Sequence, residues 1–131
     1  IFAGPGINPG VSQALVEQVD IYPTLAALAG LPLPEHLQGT SLVPWLNDPA
    51  TESRIAVFST MIATHTKALG HSARNGRYRY IEWNGGKDGT QLYDLSADPH
   101  QLTNLAGQEA HRPMQRRLKR LLGEHLARVS R

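Results

Sequence analysis

The densest grouping of chemically capable side chains lies between residues 64 and 79. Thr64, His65, Thr66 and Lys67 are followed by His71, Arg74, Arg77 and Arg79, so that four fixed cations and two imidazoles fall within sixteen residues. Such a composition faces anions, because sulfate, phosphate and carboxylate oxygens accept several charge-assisted hydrogen bonds at once. The three arginines have a competing use. Strand alternation would turn Arg74, Arg77 and Arg79 inward or under a helix, where Asp94, Asp98 or Glu82 could pair with them. His65 and Lys67 belong to a loop and are better placed to meet a ligand, with His71 a few residues on.

Most other site chemistries drop out. There is no cysteine, which removes a thiolate nucleophile, a disulfide, Cys-ligated zinc and an iron–sulfur cluster. The six histidines (His36, His65, His71, His100, His111, His125) show no metal-ligand spacing, and no carboxylate cluster joins His65 and His71. No nucleophile elbow, H-E-x-x-H, phosphate-loop lysine or EF-hand series occurs. Gly4, Gly6 and Gly10 have the wrong spacing for a nucleotide loop, and Pro5 and Pro9 remove backbone donors that a phosphate would use. Asp94 and Asp98 stand in LYDLSADPH, the text of a strand end and an Asx turn rather than of an acid–base pair. No residue is assigned here as catalytic or as a metal ligand.

The elements that must position the 64–79 segment are readable. Ile55–Ser59, Arg77–Trp83 and Gln91–Leu95 are rich in β-branched and aromatic residues between turn formers, and His71–Arg74 is a weaker fourth strand. Asn75-Gly76 is a two-residue turn signal, and residues 84–89, NGGKDG, form a hairpin loop by composition. Met114, Leu118, Leu121, Leu122, Leu126 and Val129 lie on one stripe of a closing helix, which must bury that stripe. A shorter helix spans Val19–Ala29, with Pro23 in its first turn and Gly30 as its cap. Ser41 can cap a single turn carrying Leu42, Trp45 and Leu46, while Ile1–Gly10 reads as the end of an apolar strand running into a connector. The inferred fold is α+β: an antiparallel sheet of about four strands, packed by a long C-terminal helix and a shorter N-terminal one.

At 131 residues the chain can bury about two-thirds of its unfolded surface around one core. Apolar runs of a few residues fall far short of the roughly 20 that cross a bilayer, so no membrane partner is expected. The start at Ile1 rather than methionine points to a piece of something longer. Charge is unevenly spread: residues 112–131 carry seven Lys or Arg and one acid, residues 1–111 six against ten. Nucleic acid is not the expected partner of the basic helix, since no aromatic interleaving or binding motif accompanies it; a solvated helix face accounts for it.

Several segments in this order resemble the sulfatases of the alkaline phosphatase superfamily, and within them the iduronate-2-sulfatase-like branch. The matching text is Val19–Leu25 with Leu28–Pro32, Gly39–Leu42, Gly70–Arg74 with Arg77–Trp83, Leu92–Leu95 with Asp98-Pro99, and Asn104-Leu105. Asn75 departs from the threonine usual after that arginine. The resemblance implies that residues 1–10 end the large sulfatase domain and its connector, and that residues 11–131 form the C-terminal subdomain. In that family a formylglycine, made from Cys or Ser in a C/S-x-P/A-x-R motif, attacks the sulfur of a sulfate ester beside a calcium ion. No such motif is present here, so formylglycine and calcium are expected in the full-length parent, this fragment holds no cofactor, and alone it is expected to be inactive. Its partners are then the N-terminal catalytic domain of the same protein and a sulfated small molecule or glycan, which His65, Lys67 and His71 would contact through a sugar carboxylate or second sulfate. Asp94, Asp98, Pro99 and Asn104 are read as structural. Phosphonate and phosphate monoester hydrolases share the scaffold, and a stand-alone module for anionic glycans is the other alternative. Relatives in the family are periplasmic, secreted or lysosomal, which sets the expected compartment.

Overall fold

The computed structural model describes residues 1–130. Contacts divide the chain into two compact units, Ile1–Arg54 and the chain from Ile55 onward.

In the first unit a single 3-10 turn, Gln18–Asp20, leads into α1, Ile21–Leu28, and α2 covers Val43–Asn47. Pro23 lies in the first turn of α1, where its missing N–H costs nothing. The helix ends at Gly30, whose φ of 67° is left-handed, and Leu31 N–H reaches back to the Ala26 carbonyl at 2.9 Å. The expected Ser41 cap is displaced: the N-cap of α2 is Leu42, with no side-chain cap bond, and the Ser41 hydroxyl, one residue earlier, accepts from Val43 N–H at 3.3 Å. The unit is knotted at Asp20, which is fully buried. Its carboxylate accepts from Glu17 N–H at 2.7 Å and Thr40 N–H at 2.9 Å, and pairs with Arg54 at 2.9 Å. Thr24 extends the tie, donating to the Asp20 carbonyl and accepting from Leu42 N–H. The crossing is close enough to demand glycine at 39, where a Cβ would stand 2.0 Å from the Val19 carbonyl oxygen. The strand expected over the opening residues is not formed: residues 1–10 carry a turn at 4–6, and no partner strand in the first unit offers them a ladder.

The second unit is a four-stranded antiparallel sheet in the order β1 (Val57–Ile62), β2 (Leu69–Arg74), β3 (Tyr78–Trp83), β4 (Thr90–Asp94), followed by α3 (Arg112–Val129). The α+β architecture stands. β1 begins two residues later than the apolar text suggests and β2 is a full strand, because each strand's extent follows its partner: Val57 lies opposite Arg74, and Ile62 opposite Leu69. The weak strand signal of Gly70-His71-Ser72 has a packing cause. A Cβ at Gly70 would stand 2.7 Å from the Trp83 ring, which lies directly across.

Phe58, Ala73, Tyr80 and Leu92 share one face of the sheet, and α3 lays Leu118 and Leu122 on it. Met114, Leu121 and Leu126 border that core. Burying each fully enclosed leucine is worth about 1.5–3 kcal/mol. The same periodicity sends Arg112, Arg116, Arg117, Lys119 and Arg120 outward. Beyond β4, the Asn104 side chain accepts from Leu92 N–H and Ala106 N–H, fastening the loop that leads to α3. Among the described residues no helix is long and apolar enough to cross a membrane.

Candidate functional site

His65 and Lys67 sit at the tip of the β1–β2 hairpin, residues 63–68, and both are exposed. The tip closes tightly. Ala63 N–H donates to the Ala68 carbonyl at 2.9 Å and Lys67 N–H to the Ala63 carbonyl at 2.8 Å, with Lys67 held at a φ of 57°. Left-handed backbone is strained for a residue carrying Cβ, and the loop closure holds Lys67 there. Beneath the tip, Leu69 N–H donates to Asn84 Oδ1 at 2.9 Å, joining this hairpin to the β3–β4 loop.

His71 lies further down β2, on the face that α3 covers, and is half-buried. Its Nδ1 is 2.9 Å from the hydroxyl of Thr60, opposite on β1. Across on β3 stands Glu82, buried, accepting from the Tyr80 hydroxyl at 2.9 Å. Burial first, and then this bond to a carboxylate, push the Tyr80 hydroxyl well above its ordinary range, so it is a fixed donor and not a base. The sheet therefore groups Thr60, His71, Tyr80 and Glu82 on one face. His65 and Lys67 are placed with them only through the shared hairpin, and among the described residues no hydrogen bond joins either side chain to His71. The Thr60–His71 and Tyr80–Glu82 pairs escape a sequence reading because they depend on cross-strand register or on a side chain two residues along a strand meeting its neighbour in the core.

The arginines divide. Arg77 pairs with Asp94 as expected, Nε at 3.0 Å and the terminal nitrogen at 2.7 Å. Arg74 and Arg79 do not go under the helix: the alternation that buries Ala73 and Tyr80 sends them to the opposite face, where Arg79 donates to Gln101 Oε1 at 2.9 Å. The Arg77 guanidinium, aided by Ser96 N–H and Ala97 N–H and opposed by burial, holds the Asp94 carboxyl well below the usual carboxylate range. A depressed folded value means that its stabilisation is complete above the ordinary pKa of 3.8 and fades as pH falls through the folded value. Urea midpoints taken from pH 5 down to pH 2 should thus fall in the parent chain and fall less steeply in Asp94→Asn; equal slopes would refute the assignment.

The carboxylates do not fit a calcium ion. Asp20 is consumed by two N–H groups and Arg54, Asp94 by Arg77, and among the described residues no group of three metal-binding side chains comes together. A cavity of about 750 Å³ in the first unit is lined by Phe2, Ile7, Val16, Leu42, Trp45 and Leu46 among others, with no ionisable side chain and none of His65, Lys67 or His71.

Residues 5–128 match the family model described as N-sulphoglucosamine sulphohydrolase, C-terminal. The chain belongs to the sulfatase family. This sulfatase C-terminal domain is 36% identical over 118 residues to arylsulfatase K of Rattus norvegicus, and 39% identical over 109 residues to choline-sulfatase of Rhizobium meliloti (strain 1021). Each alignment takes in 81% of the sulfatase C-terminal domain and 20% of the relative, so the chain spans about a fifth of the length of these curated relatives. It superposes on a solved 2-O GAG sulfatase with a TM-score of 0.86 and 32% identity, over 98% of this chain and 29% of that one.

Proposed function

We propose that this sulfatase C-terminal domain is part of a sulfuric ester hydrolase in which it supplies structure and a substrate-recognition hairpin, while formylglycine and calcium belong to the preceding catalytic domain. Residues 1–10 are the end of that large domain and its connector, and residues 11–131 the C-terminal subdomain. The observation that carries the reading is the family match across residues 5–128, together with relatives five times longer. The finer placement in the iduronate-2-sulfatase-like branch rests on the text Gly70–Arg74 with Arg77–Trp83.

Within the hairpin, exposed His65 and Lys67 are the groups that meet the part of the substrate beyond the scissile sulfate, a sugar carboxylate or a second sulfate, with His71 behind them. They bind and orient; they do not perform the bond cleavage. A contact of this kind acts equally on the bound substrate and its transition state. In the complete enzyme Lys67→Ala should therefore raise KM about tenfold with kcat little changed, the loss of one charge-assisted hydrogen bond. Steady-state kinetics on a sulfated sugar checks this, with the isolated 131-residue chain as control, which should release no sulfate above buffer. Unchanged KM in both His65→Ala and Lys67→Ala would remove the hairpin from recognition, and turnover by the isolated chain would remove the division of labour.

A further inference from the structure

The face of the sheet turned away from α3 carries an arrangement that the hairpin reading does not use. Arg74 on β2 stands directly opposite Arg79 on β3. Directly opposed residues on one face have Cβ atoms about 4.5–5.5 Å apart, and like charges so placed destabilise a sheet. Something ordinarily neutralises them, and the second unit supplies nothing. Each of its six carboxylates is engaged elsewhere: Glu82 by Tyr80, Asp88 by Asn84, Asp94 by Arg77, Asp98 by Thr103 N–H, Glu109 by Arg112 and Glu124 by Arg120. Among the described residues Arg74 has no bonded partner at all, and Arg79 has only the neutral amide of Gln101.

Two further details show that the Arg79 guanidinium is held in place on this face. Arg79 Nε is closed off from water and donates to nothing among the described residues, an expensive state for a charged donor. Its partner Gln101 is held at a φ of 56°, left-handed backbone for a residue with a side chain, with Gln101 N–H tied to the Asp98 carbonyl. The strained turn thus anchors one terminal nitrogen of the Arg79 guanidinium on a neutral amide, with its charge uncompensated by any carboxylate of the second unit.

We propose that Arg74 and Arg79 form a binding site for a tetrahedral oxyanion dianion, of which inorganic sulfate is the type, on the sheet face opposite α3. Two guanidiniums match a charge of −2 and present several N–H donors to oxygens spread around one centre. The sulfate pairs with the terminal nitrogens of the two guanidiniums and removes the repulsion across β2 and β3. Sulfate as the probe rests on the family reading; the site itself rests on the arginines, and failure of the hairpin reading would leave it untouched.

Arginine Nε–H resonances of the 15N-labelled chain, followed during titration with sodium sulfate against sodium chloride of equal ionic strength, test this directly. Chloride matching and a site-resolved signal separate binding from the general stabilisation that sulfate gives to folded proteins. The Arg79 Nε–H signal should shift saturably, and Arg74→Gln and Arg79→Lys should each weaken binding about tenfold with the backbone spectrum otherwise unchanged. Methyl sulfate, a monoanion, should bind about tenfold more weakly than sulfate. The absence of a saturable shift, undiminished affinity in Arg74→Gln, or equal affinity for methyl sulfate would each overturn the site.

Discussion

Leu118→Ala lowers the stability of the second unit by about 3–4 kcal/mol, because it removes a branched side chain from the centre of the core that joins α3 to the sheet. Leu118 has no exposed surface and packs in one cluster with Ala73, Tyr80, Leu92 and Leu122. Collapse around the resulting void is opposed from both sides: the sheet below is held by ladder bonds, and the helix above is anchored by Leu122 as well. Marginal stability is the rule for domains of this size, so such a loss takes a large share of the total. The melting temperature should drop by more than about 10 °C. Urea unfolding monitored by helix circular dichroism and, in a Trp45→Phe background, by Trp83 fluorescence should show both probes moving together to lower urea; a midpoint unchanged from the parent chain would mean that α3 does not dock through this stripe.

Asp20→Ala should be comparably severe in the first unit, by about 3–5 kcal/mol, since it leaves two buried N–H groups without their acceptor and takes from Arg54 one of the two carboxylates it pairs with, Glu17 being the other. The donors are Glu17 N–H, Thr40 N–H and Arg54, and Gly39 beside them is already pressed against the Val19 carbonyl, so the segment has no room to re-form the bonds. A second variant separates lost charge pairing from lost backbone ties. Arg54→Met, alone and together with Asp20→Ala, completes a cycle whose coupling term isolates the Arg54–Asp20 pair from the two backbone ties. Hydrogen exchange at the Thr40 and Leu42 amides reads the effect locally: both should speed greatly in Asp20→Ala. Unaltered protection of the Thr40 amide would show that Asp20 does not hold this crossing.

Much of the second unit was legible because its signals are local. The α3 stripe from Met114 to Val129 declares both the helix and the face it buries, and Asn75-Gly76 marks the β2–β3 turn. The Asn75 side chain accepts from Arg77 N–H and Tyr78 N–H there, so asparagine does the work of closing the turn whichever residue relatives place at that position. What sequence could not reveal was set by partners distant in the chain. β1 runs past the apolar residues Ile55–Val57 because β2 holds it to Ile62, and Gly70 weakens the text of β2 only because Trp83 needs the space. The candidate site divides in the same manner. A loop rich in Thr, His and Lys announces His65 and Lys67 as exposed polar groups, whereas the Thr60–His71 and Tyr80–Glu82 bonds appear only once the strands are in register. Arg77 found its expected acid; Arg74 and Arg79 did not, because the parity that decides their face depends on which neighbours enter the core.

The clasp between Leu69 N–H and Asn84 Oδ1 has an evolutionary corollary. With one hairpin buttoned to its neighbour just under the tip, and Ala63 bonded to Ala68 above it, insertions or exchanges in the four residues between need not disturb any strand alignment below. Under the proposed recognition role, ligand preference can then drift by rewriting that short stretch alone, with the rest of the architecture left as an unaltered mount.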